Sequence, residues 1–248
     1  MKPIRRRARI IAMKHILALL TAVFTTTFLL SPAFTAPFAG FRPDQLPIPQ
    51  IDPPVQPAGY AFAIWGVIYT WLIISAIFGL WKRSSDPAWN RARPALIASL
   101  ALGTPWLWVA NNSPVGATIL IFAMAAAAIT ALLLAPKTDR WWFQAPVALY
   151  AGWLTAASFV SLGSTAAGYG LLTDSIGWAY IGITGALLVA LAVLWFKPNA
   201  PEYAATVVWA LIGIIVTNGL TLNSVSLLAA TGIVIVLAML ASNVRRVA

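Results

Sequence analysis

Cysteine is absent and histidine occurs once, as His15. That inventory cannot build a disulfide framework, a thiolate zinc site or a histidine-rich metal centre. Charge is scarce as well: Asp, Glu, Lys and Arg make up 9% of the 248 residues, against roughly 25% in soluble domains. Such a chain is neither a water-soluble globule nor disordered. None of its long apolar runs carries Asp, Glu, Lys or Arg away from its ends, Lys14 lying at the entrance to the first. Buried ionisable residues mark proton relays and ion pathways in membranes, so pumps and ion-coupled transporters are disfavoured. Serine is plentiful, but no carboxylate is placed to orient His15 as a base, which argues against a hydrolase and against any dedicated catalytic residue.

What the chain does contain is hydrophobic surface, 60% of its residues, with a mean hydropathy of +0.84. The apolar runs cover 13–34, 58–81, 95–111, 114–135, 143–163, 176–196, 203–220 and 225–243. Most approach the ~20 residues a helix needs to cross a bilayer, so the expected fold is all-α, a polytopic transmembrane helix bundle of about eight spans. The third run is short, contains Pro105, and meets the fourth through Asn112 and Ser113 alone, which predicts a tight hairpin.

The formal net charge of +10 is distributed as a topology signal rather than a nucleic-acid signal. Eight crossings that start inside collect every Lys and Arg except Arg42 on the inner side, against Asp86, Asp139 and Glu202, a balance of +12. Outside, Arg42 faces Asp44, Asp52 and Asp174, a balance of −2. Adding or removing one span would put basic clusters on both faces. The expectation is a multi-pass protein of a bacterial-type inner (cell) membrane, both termini cytoplasmic, partnered by lipid and not by nucleic acid. The first run also reads as a secretory signal, with a basic start and small residues near Ala36; Pro37 directly after Ala36 favours a retained helix.

Residues 35–57 carry seven prolines, from Pro37 to Pro57. That density disfavours helix and favours stiff extended segments. A spacer is one reading, and a stiff cover over an outward-opening cavity is the other.

Aromatic surface is abundant: twelve Trp, eleven Phe and six Tyr. Trp81, Trp89, Trp141, Trp142, Trp178 and Trp195 lie near span ends, where interfacial belts are the default. Trp65, Trp71, Trp106, Trp108, Trp153 and Trp209 sit deeper. Phe62, Trp65 and Tyr69 follow i, i+3, i+7 spacing and share one helix face, and Tyr150, Trp153, Ala157 and Ser161 share another. Gly59, Gly66, Gly152, Ala148, Ala156 and Ala157 would let these helices approach closely. The two stripes form either a slot for a planar apolar ligand or a packed seam.

The segment from Pro57 to Tyr69, Pro-Ala-Gly-Tyr-Ala-Phe-Ala-Ile-Trp-Gly-Val-Ile-Tyr, resembles the signature of the TspO/MBR family of tryptophan-rich sensory and translocator proteins. In that family a Trp follows the loop Pro by eight residues and a Tyr follows four later, as Trp65 and Tyr69 do here, and Pro53 and Pro54 supply a prolyl approach. Tyr150, Trp153, Ala157 and Ser158 resemble the family's fifth helix, and Leu102 and Trp106 its third-helix pattern. Where the family has asparagines, this chain has Gly103 and Ser161, and Gly59 stands at an aromatic position.

The resemblance spans about residues 13–163. It implies a basic N-terminus (1–12), a five-helix TspO-like domain (13–163) and three additional helices with a basic tail (164–248), a long, divergent member. Family members are often dimers and bind porphyrins, sterols and other planar apolar ligands, so the resemblance implies a homodimer and a bound porphyrin or haem-like tetrapyrrole, with no cofactor required. The implied ligand-binding set is Pro57, Phe62, Trp65, Tyr69, Trp106, Tyr150, Trp153 and Ala157. An uncoupled facilitator for such a ligand, or an assembly factor for pigment-containing membrane complexes, are the alternatives.

Overall fold

Helix starts follow N-cap chemistry. The Asp86 carboxylate accepts from the amides of Ala88 and Trp89 just ahead of Pro87, the Ser113 hydroxyl accepts from Gly116 ahead of Pro114, and Asp174 accepts from Gly177. A computed structural model describes residues 2–219 and 223–247, with side chains described for 15–219 and 223–243. The basic side chains of Lys2, Arg5, Arg6, Arg7, Arg9, Lys14, Arg245 and Arg246 lie outside that described set.

The α-helices are α1 (Lys2–Leu30), α2 (Ile64–Lys82), α3 (Pro87–Gly103), α4 (Trp106–Asn112), α5 (Pro114–Leu133), α6 (Gln144–Gly168), α7 (Ser175–Phe196), α8 (Pro201–Thr217) and α9 (Ser224–Val247). There is no strand among the described residues. Six segments are long and apolar enough to cross a membrane: α2, α5, α6, α7, and stretches of α1 and α9. The α8 helix is apolar but shorter. The third apolar run, expected as one short helix, is two. Helix α3 begins well ahead of it at Pro87, and the chain breaks at Thr104 and Pro105 before α4 resumes. Proline has no amide hydrogen to donate back into the preceding turn, which accounts for the break.

Helices α1, α2, α6, α5 and α3 pack in that order as a closed ring. Helices α7 and α8 lie on the other side of α6, and α9 rests on both. Flanked on two sides, α6 buries nearly all its residues, including Thr155, Ser158, Ser161, Ser164 and Thr165. Most of those hydroxyls are satisfied across helices or within α6: Thr155 shares a hydrogen bond with the Tyr203 hydroxyl (2.8 Å), and Thr118 with Ser161 (2.7 Å) and Thr165 (2.9 Å). At Gly152 the α6–α8 approach leaves no room for a side chain, since a Cβ would sit 2.7 Å from the Tyr203 carbonyl oxygen.

Loop contacts sort into two faces. On one, Arg83 forks onto Asp139 (2.6 and 3.1 Å), Arg140 pairs with Glu202, the Gln144 amide donates to the Asn199 carbonyl (2.6 Å), and Lys197 donates to the Ala135 carbonyl (3.1 Å). The Arg83 guanidinium, with the Trp89 indole, holds the Asp139 carboxyl below the usual carboxylate range despite its burial. On the other face, the Ile48 amide donates to the Gly168 carbonyl (2.8 Å) and Asn218 to the Pro54 carbonyl (3.0 Å). Successive helices run up and down between these faces, α3 and α4 together making one crossing.

Two tryptophans expected in a belt are core instead. Trp89 and Trp178 are buried, their indoles donating to Asp139 (3.1 Å) and to the Leu171 carbonyl (2.6 Å). Trp108, expected deeper, is exposed, as are Trp81, Trp141, Trp142 and Trp195. Position relative to a span end does not determine which side of the helix faces a neighbour, and the neighbour decides burial.

Candidate ligand cavity

The five-helix ring encloses a cavity of about 260 Å³ near the loop 35–57. Its size lies just below the common range for small-molecule sites, roughly 300–1,000 Å³. Pro57, Phe62, Trp65, Tyr69, Trp106, Trp153 and Ala157 all line it. Phe62 belongs to a 3-10 turn (Gly59–Ala63) ahead of α2, yet it joins Trp65 and Tyr69 on the same wall. Trp65 stacks on Tyr69, ring centroids 5.2 Å apart at 20°, and meets Trp153 edge-on at 6.2 Å. Phe62 also meets Trp153 edge-on, at 5.8 Å. These offset and T-shaped arrangements suit the ring quadrupoles.

Tyr150 is the exception among the eight expected residues. It does not line the cavity but lies fully buried, its hydroxyl sharing a hydrogen bond with Ser99 (3.0 Å). One helical turn separates it from Trp153, and that turn carries it past the cavity into the packed interior. There its ring supports Trp65 at 6.5 Å and Phe28 at 5.6 Å. The glycines expected to draw the two stripes together act elsewhere. Gly59 and Gly66 face open space, and Gly152 serves the α6–α8 contact.

Phe28 of α1 and Phe38 of the loop complete the aromatic wall, and periodicity on α2 and α6 could not have found them. Phe28 meets Trp65 and Tyr69 edge-on at 5.8 and 5.3 Å, and Phe38 meets Trp106 at 5.2 Å. Gly103 makes room for Phe28, whose ring would lie 2.7 Å from a Cβ there. The family's asparagine at that position would collide with this ring.

The loop is a cover rather than a free spacer. Ala36, Pro37, Phe38, Gly40, Phe41 and Gln56 line the cavity from above. Its two halves are tied by the Gln56 amide donating to the Ala39 carbonyl (3.0 Å). Gln45 donates to the Ala110 carbonyl (2.9 Å), and Asn111 to the Ala36 carbonyl (3.1 Å), fastening it to α4. Leu46 lies against Gly168, and Val55 sits between Gly163 and Gly182, fastening it to α6 and α7.

Among the described residues no three His, Asp or Glu side chains converge on a metal-holding site. The cavity's polar groups are few: Tyr69, Gln56, Ser161, Ser164 and the Trp indoles. Trp106 spends its indole hydrogen on the Ala117 carbonyl (3.0 Å), whereas the Trp153 indole and Ser164 hydroxyl have no protein partner. Such a lining can enclose a flat apolar body between aromatic faces and offer it a small number of hydrogen bonds.

No curated protein and no solved structure matches this chain. The family model described as TSPO-like protein matches residues 12–242, taking in the three C-terminal helices as well as the ring. The chain is therefore a multi-pass membrane protein belonging to the TSPO-like protein family.

Proposed function

We propose that the protein binds a planar, largely apolar ligand, a tetrapyrrole of the porphyrin type, within the five-helix ring. The observation that carries this reading is the aromatic enclosure of Phe28, Phe62, Trp65, Tyr69, Trp106 and Trp153 around one cavity beneath a tied proline-rich cover. Flat ligands gain contact area against such faces at small entropic cost, because the rings are already packed edge and face against one another. The lining supplies no imidazole, His15 lying near the middle of α1, several turns before Phe28. A metal-free porphyrin is therefore the natural probe.

Binding is favoured over facilitated passage by what lies past the cavity. Leu72, Leu96, Ser99, Leu100 and Tyr150 are all buried there and fill the ring between the cavity and the Arg83–Asp139 face. The charge distribution supports a cytoplasmic position for that face and an external one for the cover, in a bacterial-type cell membrane.

The test is titration of the detergent-purified protein with protoporphyrin IX, followed by the porphyrin's visible absorption and by tryptophan quenching. A saturable red shift with parallel quenching is expected. A spectrum identical to that of porphyrin in empty detergent micelles rejects the reading and brings forward the assembly-factor alternative.

A further inference from the structure

The stretch that leads from the cover into α2 has few backbone partners of its own. Residues 54–62 hold a turn after Pro53 and one 3-10 turn, and the Pro54 carbonyl and the Ala58 amide reach outside the segment for their bonds. Helix α8, on the other side of α6 from the ring, supplies these bonds and a second donor to the Ala61 carbonyl, which already accepts from the Ile64 amide. The Asn218 side-chain amide donates to the Pro54 carbonyl (3.0 Å), the Ala58 amide donates to the Gly213 carbonyl (3.0 Å), and the Trp209 indole donates to the Ala61 carbonyl (2.9 Å). The Trp209 ring also receives Tyr60 edge-on at 5.4 Å and 90°.

Gly213 is what allows the contact. A Cβ at that position would stand 2.8 Å from the Pro57 Cβ and 3.1 Å from the Ala61 Cβ. Trp209 and Gly213 are four residues apart, so they share a helix face, and Asn218 follows at the C-cap of α8. The segment they grip carries Pro57 and Phe62 into the cavity and delivers Trp65 and Tyr69 one and two turns later.

We infer that α8 is a positioning element of the cavity: Trp209, Gly213 and Asn218 hold residues 54–62 in register, and the C-terminal helices thereby set how fast a bound ligand leaves. The ligand half of this inference rests on the proposed function; the holding of the segment does not. Loosening the grip lets the cover and the Phe62–Trp65 wall move together, which opens the cavity without replacing any residue that lines it.

The experiment uses the full chain in detergent with Trp209→Phe, which keeps a ring against Tyr60 but loses the donor, and Gly213→Ala, which pushes on Pro57. Thr231→Ala on α9, whose hydroxyl bonds only within its own helix to Leu227, is the control. Amide hydrogen exchange is read over residues 54–62 alongside the thermal midpoint and the release rate of protoporphyrin IX. Both variants are expected to exchange faster at Ala58 and its neighbours and to release porphyrin about fivefold faster, the factor one net hydrogen bond is worth. The rest of the chain and the control should be unchanged. Unaltered exchange over 54–62 in both variants overturns the inference, as does an increase spread evenly over α8 and α9 with a fallen midpoint, which marks a merely structural contact. Faster local exchange with unchanged release overturns the claim that α8 governs the ligand. A parent protein that binds no porphyrin rejects the ligand reading alone, and the exchange data still decide whether α8 holds the segment.

Discussion

Trp65 and Trp153 differ from Trp81 in what their rings can touch. The first two line the cavity, whereas Trp81 is 76% exposed. Aromatic pairs are worth roughly 0.5–1.5 kcal/mol beyond area burial, or about 2- to 12-fold in dissociation constant. Trp65→Phe and Trp153→Phe are expected to weaken protoporphyrin IX binding toward the lower end of that span, since Phe keeps an aromatic face, and Trp81→Phe to leave it unchanged. Quenching titrations of the three variants check this. Away from the cavity, Asp139 accepts from Arg83 and from Trp89, and its folded pKa lies below the ordinary 3.8. A depressed carboxylate stabilises the fold above its ordinary pKa and loses that contribution as pH falls through the lower folded value. The thermal midpoint should therefore drop below about pH 4, and Asp139→Asn should lower the midpoint at neutral pH and flatten the acid dependence. A scan of thermal midpoint against pH for both proteins decides it. Seven of the eight residues expected from spacing and resemblance reach one cavity because a helix face is a local property of the sequence. Phe28, Phe38 and the buried state of Trp89 were not legible, because each depends on a neighbour far along the chain.

At the level of elements, the helices were readable and their seams were not. Hydropathy marks eight apolar runs, but it carries no signal that α6 stands between two helical groups. The consequence is most acute at Gly152, where α6 meets the Tyr203 carbonyl of α8 with no room for a Cβ. Gly152→Ala forces backbone against side chain in a packed seam and should destabilise the protein by roughly 1–3 kcal/mol. Gly66→Ala, on α2 with open space around it, should be neutral or slightly stabilising because alanine is the better helix former. Thermal midpoints of the two variants in the same detergent give the comparison, and equal losses would mean that the α6–α8 approach is looser than described. The break between α3 and α4 was foreshadowed by Pro105, while the early start of α3 at Pro87 was hidden by Asn90, Arg91 and Arg93, polar residues that depress hydropathy without preventing a helix.

For the whole molecule, charge distribution and helix order together predict one topology. Arg83, Lys137, Arg140 and Lys197 belong to the loops of one face, and Arg42, Asp44, Asp52 and Asp174 to the other. A reporter fused after Ala248 should behave as cytoplasmic and one inserted near Gln50 as external; an external C-terminus would contradict eight crossings. The central claim is that the covered ring cavity is where a planar ligand sits. Its most direct test is photo-crosslinking with a diazirine-bearing porphyrin, followed by mapping of the adducts by mass spectrometry. The account predicts labels on residues 28–41, 57–69, 103–107 and 153–164, reduced by excess protoporphyrin IX. Adducts confined to the outer surfaces of α7 and α9, or insensitive to competitor, would contradict it.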